Sequence, residues 1–174
     1  RNTTIIRSNY LQDASAAIYE KARSLYETMS QDLNYNVMFS PRGVIMLAQT
    51  HHEVRGYQRT AHANALQGVK TEFISPQRVK EIVPIINLDG PRYPVLGGLW
   101  QARGGTARHD AVAWGYARAC SDMGMDIIQK TEVTGVRKEN GAVVGVETSR
   151  GFIGTRKLGI VVAGHSGVLA DMAG

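Results

Sequence analysis

Residues 133–148 read VTGVRKENGAVVGVET, and this stretch decides the fold. Two valine-rich runs flank Asn140-Gly141, the dipeptide that most strongly favours a two-residue hairpin turn. The pattern predicts strands at Val133–Arg137 and Val143–Thr148. Phe152-Ile153 then continues the hairpin into a three-stranded meander.

The segments on either side of this meander predict a cofactor-binding domain. A helix is predicted from about Asp110 to Met123, and a short apolar strand follows it at Met125–Gln129. After the meander, Leu158–Ala163 is apolar without alternation, as expected of a strand buried on both faces, and Gly164 opens a helix. This order of elements is typical of the second half of flavoprotein cofactor domains.

The first hundred residues predict further helices and strands. An amphipathic helix is predicted over Ala14–Gln31, with Asp13 as its N-cap, because apolar residues recur there at helical spacing. Two apolar segments, Asn36–Ser40 and Val44–Thr50, predict a hairpin. A second helix is predicted over about Glu53–Leu66.

Composition and charge exclude several classes of protein. The 174 residues are 43% hydrophobic and 20% charged, which is ordinary soluble composition, and no apolar run approaches the roughly 20 residues of a membrane span. The single cysteine, Cys120, excludes an internal disulfide framework and a cysteine-based zinc site. The 20 Lys and Arg exceed the 15 Asp and Glu, but they are dispersed among glutamates, so no nucleic-acid partner is expected. Because the chain begins at Arg1 without an initiator methionine, we expect an internal segment of a longer protein.

The first candidate for chemistry is the stretch Arg1–Arg7, in which two arginines flank short polar residues and an apolar pair. An arginine held by a packed apolar segment is suited to binding a carboxylate, because its planar fork of donors matches two oxygens. The alternative is an arginine solvated at the surface.

A second candidate is the stretch Gly104–Asp110, which is predicted to begin a helix. Its glycines permit close backbone approach, and the free N–H groups at a helix start favour anions such as phosphate. His109 lies beside this positive helix end, which favours the neutral imidazole that acts as a nucleophile. The alternative is an ordinary helix start capped by Asp110.

Two weaker candidates follow. Gly164, after the predicted buried strand, lets a cofactor approach the backbone, although any tight strand-to-helix turn also needs a glycine. His51-His52 and His62 have no carboxylate pair to complete a metal site, so they are expected on a solvated surface and no bound metal is expected.

Several stretches, in order along the chain, resemble one family of proteins. It is the β subunit of heterotetrameric sarcosine oxidase, which belongs to the D-amino-acid-oxidase-like flavoproteins, and the resemblance covers essentially the whole chain. The stretches that carry it are RNTTIIRSNYL (1–11), VKEIVPIIN (79–87), RYPV (92–95), RHDAVAW (108–114), MDIIQ (125–129), EVTG (132–135) and AGHS (163–166).

The resemblance implies an α/β fold, in which a partial FAD-binding domain of the glutathione-reductase type is interrupted by a substrate domain. Residues 1–33 and 102–174 would belong to the FAD-binding domain, the latter with the β-meander. Residues 34–101 would form the substrate-domain segment, with a mixed, mostly antiparallel sheet. The dinucleotide-binding βαβ unit of such domains is missing from the sequence, so residues 1–174 alone are expected to be inactive.

The resemblance also implies roles for single residues. His109 matches the histidine that is joined covalently to FMN through the 8α-methyl group of the flavin. Arg7 matches the arginine that binds the substrate carboxylate in related amine oxidases. Residues 111–114 read AVAW where a second histidine is common in the family. The positions that match contacts of non-covalent FAD are Thr3, Ile5, Val133 and Gly164.

The implied activity is that of an enzyme acting on CH–NH donors. The N-methyl carbon of sarcosine, or of a similar secondary amino acid, would be oxidised by hydride transfer to FAD, with electrons passing to covalent FMN and then to oxygen. The imine would yield formaldehyde and glycine, or its methylene would pass to tetrahydrofolate on a partner subunit. The other oxidase subunits are the expected partners, in the cytoplasm and away from membranes.

Two alternatives stay open at this point. One is a related FAD-dependent dehydrogenase of another secondary amino acid, such as dimethylglycine or proline. The other is a non-catalytic assembly subunit that keeps the fold without turnover.

Overall fold

The computed structural model describes residues 3–174, so Arg1 and Asn2 of the predicted arginine-flanked stretch lie outside the described residues. The chain divides after Met125 into two compact units. In chain order, the described elements of the first unit are β1 (Ile5–Ile6), α1 (Asp13–Asp32), β2 (Val44–Ala48), α2 (His51–Leu66), β3 (Glu72–Ile74), α3 (Pro76–Ile82), β4 (Gly97–Gln101), β5 (Gly105–Thr106) and α4 (His109–Asp122).

Helix α1 confirms the predicted amphipathic helix but not its predicted N-cap. The helix begins at Asp13, and Gln12 occupies the cap position without a side-chain hydrogen bond. The Asp13 carboxylate instead accepts a hydrogen bond of 2.6 Å from Gln67 Nε2. Asp13 therefore ties α1 to the end of α2, and its negative charge in the first turn still complements the helix dipole.

The predicted hairpin between residues 36 and 50 is wrong. Strand β2 pairs antiparallel with β4, from Val44 opposite Gln101 to Ala48 opposite Gly97, and β3 pairs with the other edge of β4. Met38 has a φ of 54°, which interrupts the extended backbone that a hairpin strand requires. The sheet order is therefore β2-β4-β3, with the most deeply buried strand at its centre.

The core of the first unit lies against this sheet. Ile74, Val79 and Val95 form its buried cluster. Helix α3 contributes Val79 to the cluster. Ser75 caps this helix, its Oγ accepting a hydrogen bond of 3.2 Å from Arg78 N. The first unit thus encloses its own apolar core.

The second unit comprises Asp126–Gly174 and confirms the predicted meander. Asn140 and Gly141 have φ values of 50° and 78°, the positive pair that a tight hairpin turn requires. The described elements are β6 (Val133–Glu139), β7 (Ala142–Thr148), β8 (Gly151–Gly154), a single 3-10 turn (Ala163–His165) and α5 (Ser166–Ala173), with the strands antiparallel in the order β6-β7-β8.

Two predicted strands of this region are wrong. Residues 125–129 and 158–162 form irregular backbone, exposed except at the half-buried Ile160, and Val161 is 92% exposed. A strand of a parallel sheet needs neighbours to complete its hydrogen bonds, and within residues 3–174 no strand pairs with either segment. The α/β class with antiparallel sheets is confirmed, while the assignment of residues 34–101 to a substrate domain and of 1–33 and 102–174 to an FAD-binding domain stays a prediction.

Candidate functional site

The structure brings the first two candidate stretches together in the first unit. Strand β1 pairs antiparallel with β5, with Ile5 opposite Thr106. Beyond this pair, Ala107 N donates a 3.0 Å hydrogen bond to Thr4 O. Because the strands are antiparallel, Arg7, which comes directly after β1, and His109, which comes after β5, lie beyond opposite ends of this two-stranded ribbon.

The glycine in the second strand of the ribbon serves the packing of the protein itself. A Cβ built on Gly105 would overlap the carbonyl oxygen of Ser40. Ser40 forms a bridge to Thr106, with N–O distances of 2.8 and 3.1 Å in the two directions. A third segment of chain therefore closes on the ribbon at the place where the sequence predicts room for a ligand.

Arg7 is half-buried and its guanidinium is held on two sides. Its NH1 donates a 2.8 Å hydrogen bond to Asn9 Oδ1, and its Cζ lies 4.3 Å from the centre of the Tyr10 ring. Among residues 3–174, no carboxylate forms an ion pair with this guanidinium. Because a partly desolvated cation is stabilised by an anionic partner, Arg7 is suited to bind a carboxylate with its remaining donors.

The cleft beside Arg7 is small and rich in tyrosine. Its volume is about 170 Å³. Burial raises the pKa of Tyr10, against the opposing effect of the Arg7 charge, and burial also raises the pKa of Tyr26. The hydroxyl groups therefore stay neutral near pH 7 and do not neutralise Arg7. The lining residues are Ile5, Ile6, Arg7, Tyr10, Tyr19, Ala22, Arg23 and Tyr26.

The sequence did not predict a charge network that lies next to this cleft and is centred on a buried arginine. Arg23, only 1% exposed, lies 2.5 Å from Glu20 and 2.7 Å from Glu27. The hydrogen bond from Arg23 is the main reason why the pKa of Glu20 is lowered. The spacings of three and four residues along α1 are the signal in the sequence, but such pairs are usually exposed.

The network continues to the residue that follows Arg7. Ser8 Oγ donates a 2.5 Å hydrogen bond to Glu20, and the side chain of Gln101 bonds both the backbone N and the hydroxyl of Ser8. No sequence pattern predicts this contact, because Ser8 and Gln101 are 93 positions apart.

His109 is the first residue of α4 and is exposed to solvent. Its neighbours pair with each other, Arg108 NH2 lying 2.7 Å from Asp110 Oδ2. The pKa of Asp110 is lowered to about 2, first by the hydrogen bond from Arg108 and also by the backbone N–H of Ala111. The chain's own carboxylate thus occupies the helix start, where the sequence predicts an anion, while the imidazole of His109 is exposed to solvent.

The four predicted FAD contacts are divided between the two units. Thr3 and Ile5 belong to the first unit and are exposed, and Val133 and Gly164 belong to the second. Val133 lines a cavity of about 410 Å³, a volume within the range of small-molecule pockets. Gly164 is exposed, and a Cβ built on it would meet nothing within 4 Å, so no close approach requires a glycine there. The cavity is lined by Thr131, Glu132, Val133, Val162, His165, Val168, Leu169 and Met172.

The histidines of α2 do not form a metal site. His51, His52 and His62 lie exposed on the helix, as predicted. Within residues 3–174, no cluster of His, Cys, Asp and Glu side chains is arranged to hold a metal ion. In the same part of the chain, no helix has the length and apolar character needed to cross a membrane.

Comparison with known proteins defines the class. The model of the FAD dependent oxidoreductase family matches residues 1–174, and the chain therefore belongs to this family. The chain is 76% identical to sarcosine oxidase subunit beta of Rhodobacter capsulatus over 174 residues and 52% identical to that of an Arthrobacter species over 175. The resemblance stated from the sequence is confirmed.

These matches cover all of the chain but only 42% and 43% of the two relatives. The chain thus spans less than half the length of the curated relatives it matches. Among solved structures, L-proline dehydrogenase from P. horikoshii superposes with a TM-score of 0.88 at 24% identity, over 97% of this chain and 43% of that one. This likeness confirms the α/β fold, and the match to the family model supports the expectation that the fold includes part of an FAD-binding domain.

Proposed function

We propose that the chain is the part of a sarcosine oxidase β subunit that binds the carboxylate of the substrate and carries the covalent attachment site for FMN. The observation that carries the proposal is the geometry of Arg7, a half-buried guanidinium held by Asn9 and Tyr10 without an acidic partner among residues 3–174. The 76% identity to a sarcosine oxidase β subunit across the whole chain supports the choice of sarcosine.

Arg7 would bind and orient the substrate. One donor of its guanidinium is used by Asn9 and one face of the group by the ring of Tyr10. The remaining donors would hold a carboxylate in a forked arrangement, which fixes the position of the N-methyl group two bonds from the carboxylate-bearing carbon. The tyrosine rings of the cleft would exclude water from this contact.

The proposal requires two flavins, and it assigns candidate residues to each. Thr3, Ile5, Val133 and Gly164 would contact FAD, and the cavity at Val133 has room for part of such a cofactor. The accessible imidazole of His109 would hold FMN through a covalent bond. When bound, FAD supplies the acceptor for the hydride of the N-methyl carbon, and FMN supplies the route of the electrons to oxygen.

The proposal also covers the partner subunits and the location of the enzyme. The partners would be the other subunits of a cytoplasmic heterotetramer. Because the chain spans only 42% of its relative, residues 1–174 alone would neither hold FAD tightly nor turn over. Reduction of added FAD by sarcosine in the presence of residues 1–174 alone would contradict this last point.

Steady-state kinetics of the full-length subunit, assembled with its partners, tests the proposed substrate. We expect kcat/KM to be highest for sarcosine among sarcosine, dimethylglycine and proline, with oxygen as acceptor. A preference for proline or dimethylglycine would favour a related dehydrogenase. Absence of turnover with all three in an assembly that contains both flavins would favour a non-catalytic assembly subunit.

A further inference from the structure

We infer that Asn9 and the buried Ser8–Gln101 pair are positioning residues, which hold the Arg7 guanidinium in the orientation that binds a carboxylate. This inference rests on the carboxylate-binding role proposed for Arg7. It assigns a purpose to three buried polar side chains that otherwise have no part in the proposed function.

The backbone immediately after Arg7 is fixed by Gln101. Ser8 and Gln101 are 0% and 1% exposed. Ser8 N donates a 2.9 Å hydrogen bond to Gln101 Oε1, and Gln101 Nε2 donates one of 2.7 Å to Ser8 Oγ. Because Gln101 ends the central strand β4, this reciprocal pair ties the Arg7 segment to the most deeply buried strand of the sheet.

The direction of the Ser8–Gln101 pair is set by the charge network of α1. The Ser8 hydroxyl donates to Glu20, so the same oxygen is left to accept from the Gln101 amide. Arg23 holds Glu20 in turn. A network that is satisfied at each of these atoms restricts the Arg7 backbone to one conformation, because each broken bond would leave a buried polar group without a partner.

The side chain of Arg7 is fixed by Asn9, which is 3% exposed. Asn9 Oδ1 accepts the hydrogen bond from Arg7 NH1, while Asn9 Nδ2 lies 3.9 Å from the sulfur of Met46. Since the sulfur is an acceptor, it faces the amide nitrogen and the amide oxygen is turned toward Arg7. The guanidinium is thus held by a contact that uses one donor and leaves the rest of the fork open.

The neutrality of Asn9 matters as much as its position. An aspartate there would keep the acceptor oxygen, but its charge would neutralise Arg7 and compete with the carboxylate of a ligand. An uncharged acceptor orients the guanidinium and preserves its charge. The inference therefore predicts that a charged residue and an apolar residue at position 9 both weaken carboxylate binding, for different reasons.

The test uses the full-length subunit in its assembled complex and measures KM and kcat for sarcosine. We expect Asn9→Leu and Asn9→Asp each to raise KM about tenfold, while kcat at saturating sarcosine changes less than about twofold, since the lost interaction is already formed in the bound substrate. Ser8→Ala, which keeps the backbone bond to Gln101, should raise KM about twofold to threefold.

Val79→Ala is the matched control, because it weakens the core of the first unit away from Arg7. A KM for Asn9→Leu and Asn9→Asp that equals the wild-type value, or one that rises only as much as in Val79→Ala, would overturn the inference. If Asn9→Leu does not fold, the KM of Asn9→Asp alone tests the inference. A normal KM in Asn9→Asp shows that Asn9 acts only as a structural acceptor.

Arg7→Ala, measured beside these variants, distinguishes the carboxylate-binding role of Arg7 from the positioning role of Asn9. If Arg7→Ala raises KM and the Asn9 variants do not, the positioning inference fails and the proposed role of Arg7 stands. If Arg7→Ala leaves KM unchanged, the carboxylate role fails, and the positioning inference fails with it.

Discussion

The two compact units of the chain differ in how they hold their side chains. The first unit buries Ser8, Asn9, Arg23 and Gln101 in hydrogen-bonded contacts and encloses an apolar cluster. In the second unit, by contrast, Gly145 and Val146 are the only buried residues. Arg7, which we propose binds a carboxylate, therefore lies in the unit that holds its polar side chains in buried hydrogen bonds, whereas the second unit has few buried residues.

The largest expected effect concerns the covalent flavin. In the assembled complex, His109→Ala should abolish the flavin that stays bound to the subunit after acid precipitation, because the imidazole proposed to attach FMN is lost. His165→Ala is the matched control: it removes the histidine that lines the cavity of the second unit, and it should leave the acid-stable flavin unchanged. Covalent flavin that persists in His109→Ala would show that His109 is not the attachment site.

The next effect concerns the substrate. Arg7→Ala should raise the KM for sarcosine on the order of 100-fold, since a forked contact between charged groups is lost. Arg103→Ala removes another arginine of the first unit, whose side chain is 51% exposed and pairs with Glu27, and it should leave KM within about twofold. Equal effects of the two substitutions on KM would show that sarcosine binding depends on overall charge and not on the orientation of the Arg7 guanidinium.

A smaller effect distinguishes the cores of the two units. Val79→Ala should lower the free energy of unfolding of the first unit by about 2 kcal/mol, because the removed methyl groups leave a cavity in a closed core. Val146→Ala should cost about 1 kcal/mol or less, because few buried neighbours surround it. Denaturant titration of the chain measures both, and the reverse order would contradict the contrast between the two units.

The smallest effect is a dependence of stability on pH. The pKa of Glu20 is lowered, first by the hydrogen bond from Arg23, so its contribution to stability is present above the ordinary glutamate pKa and is lost as the pH falls through the lowered value. The free energy of unfolding of the first unit should decrease below about pH 4.3. Glu20→Gln should flatten this decrease, and an unchanged pH profile in the variant would show that Glu20 does not contribute.

Local signals in the sequence predicted much of this fold. The hairpin of the meander follows from Asn140-Gly141, because these two residues readily adopt the positive φ values that the turn requires. Helix α1 follows from apolar spacing over several turns. These features need no information from distant parts of the chain.

Contacts between distant residues account for what the sequence did not predict. The partner of β2 is β4, about fifty positions away, and not the neighbouring segment at 36–40. The strand predicted at Leu158–Ala163 has the composition of a buried strand, but composition cannot supply the neighbours that would pair with it. The Ser8–Gln101 pair could not be predicted either, because its two residues are far apart in the sequence. The motif that contains Arg7 could be recognised because its residues are contiguous.

Anaerobic titration of the assembled complex with sarcosine tests the central claim most directly. Sarcosine should reduce the bound flavin of the wild-type complex, and Arg7→Ala should shift the half-saturating concentration upward without lowering the final extent of reduction. A wild-type complex with both flavins bound that sarcosine does not reduce, or an Arg7→Ala complex that titrates as the wild type does, would contradict the account.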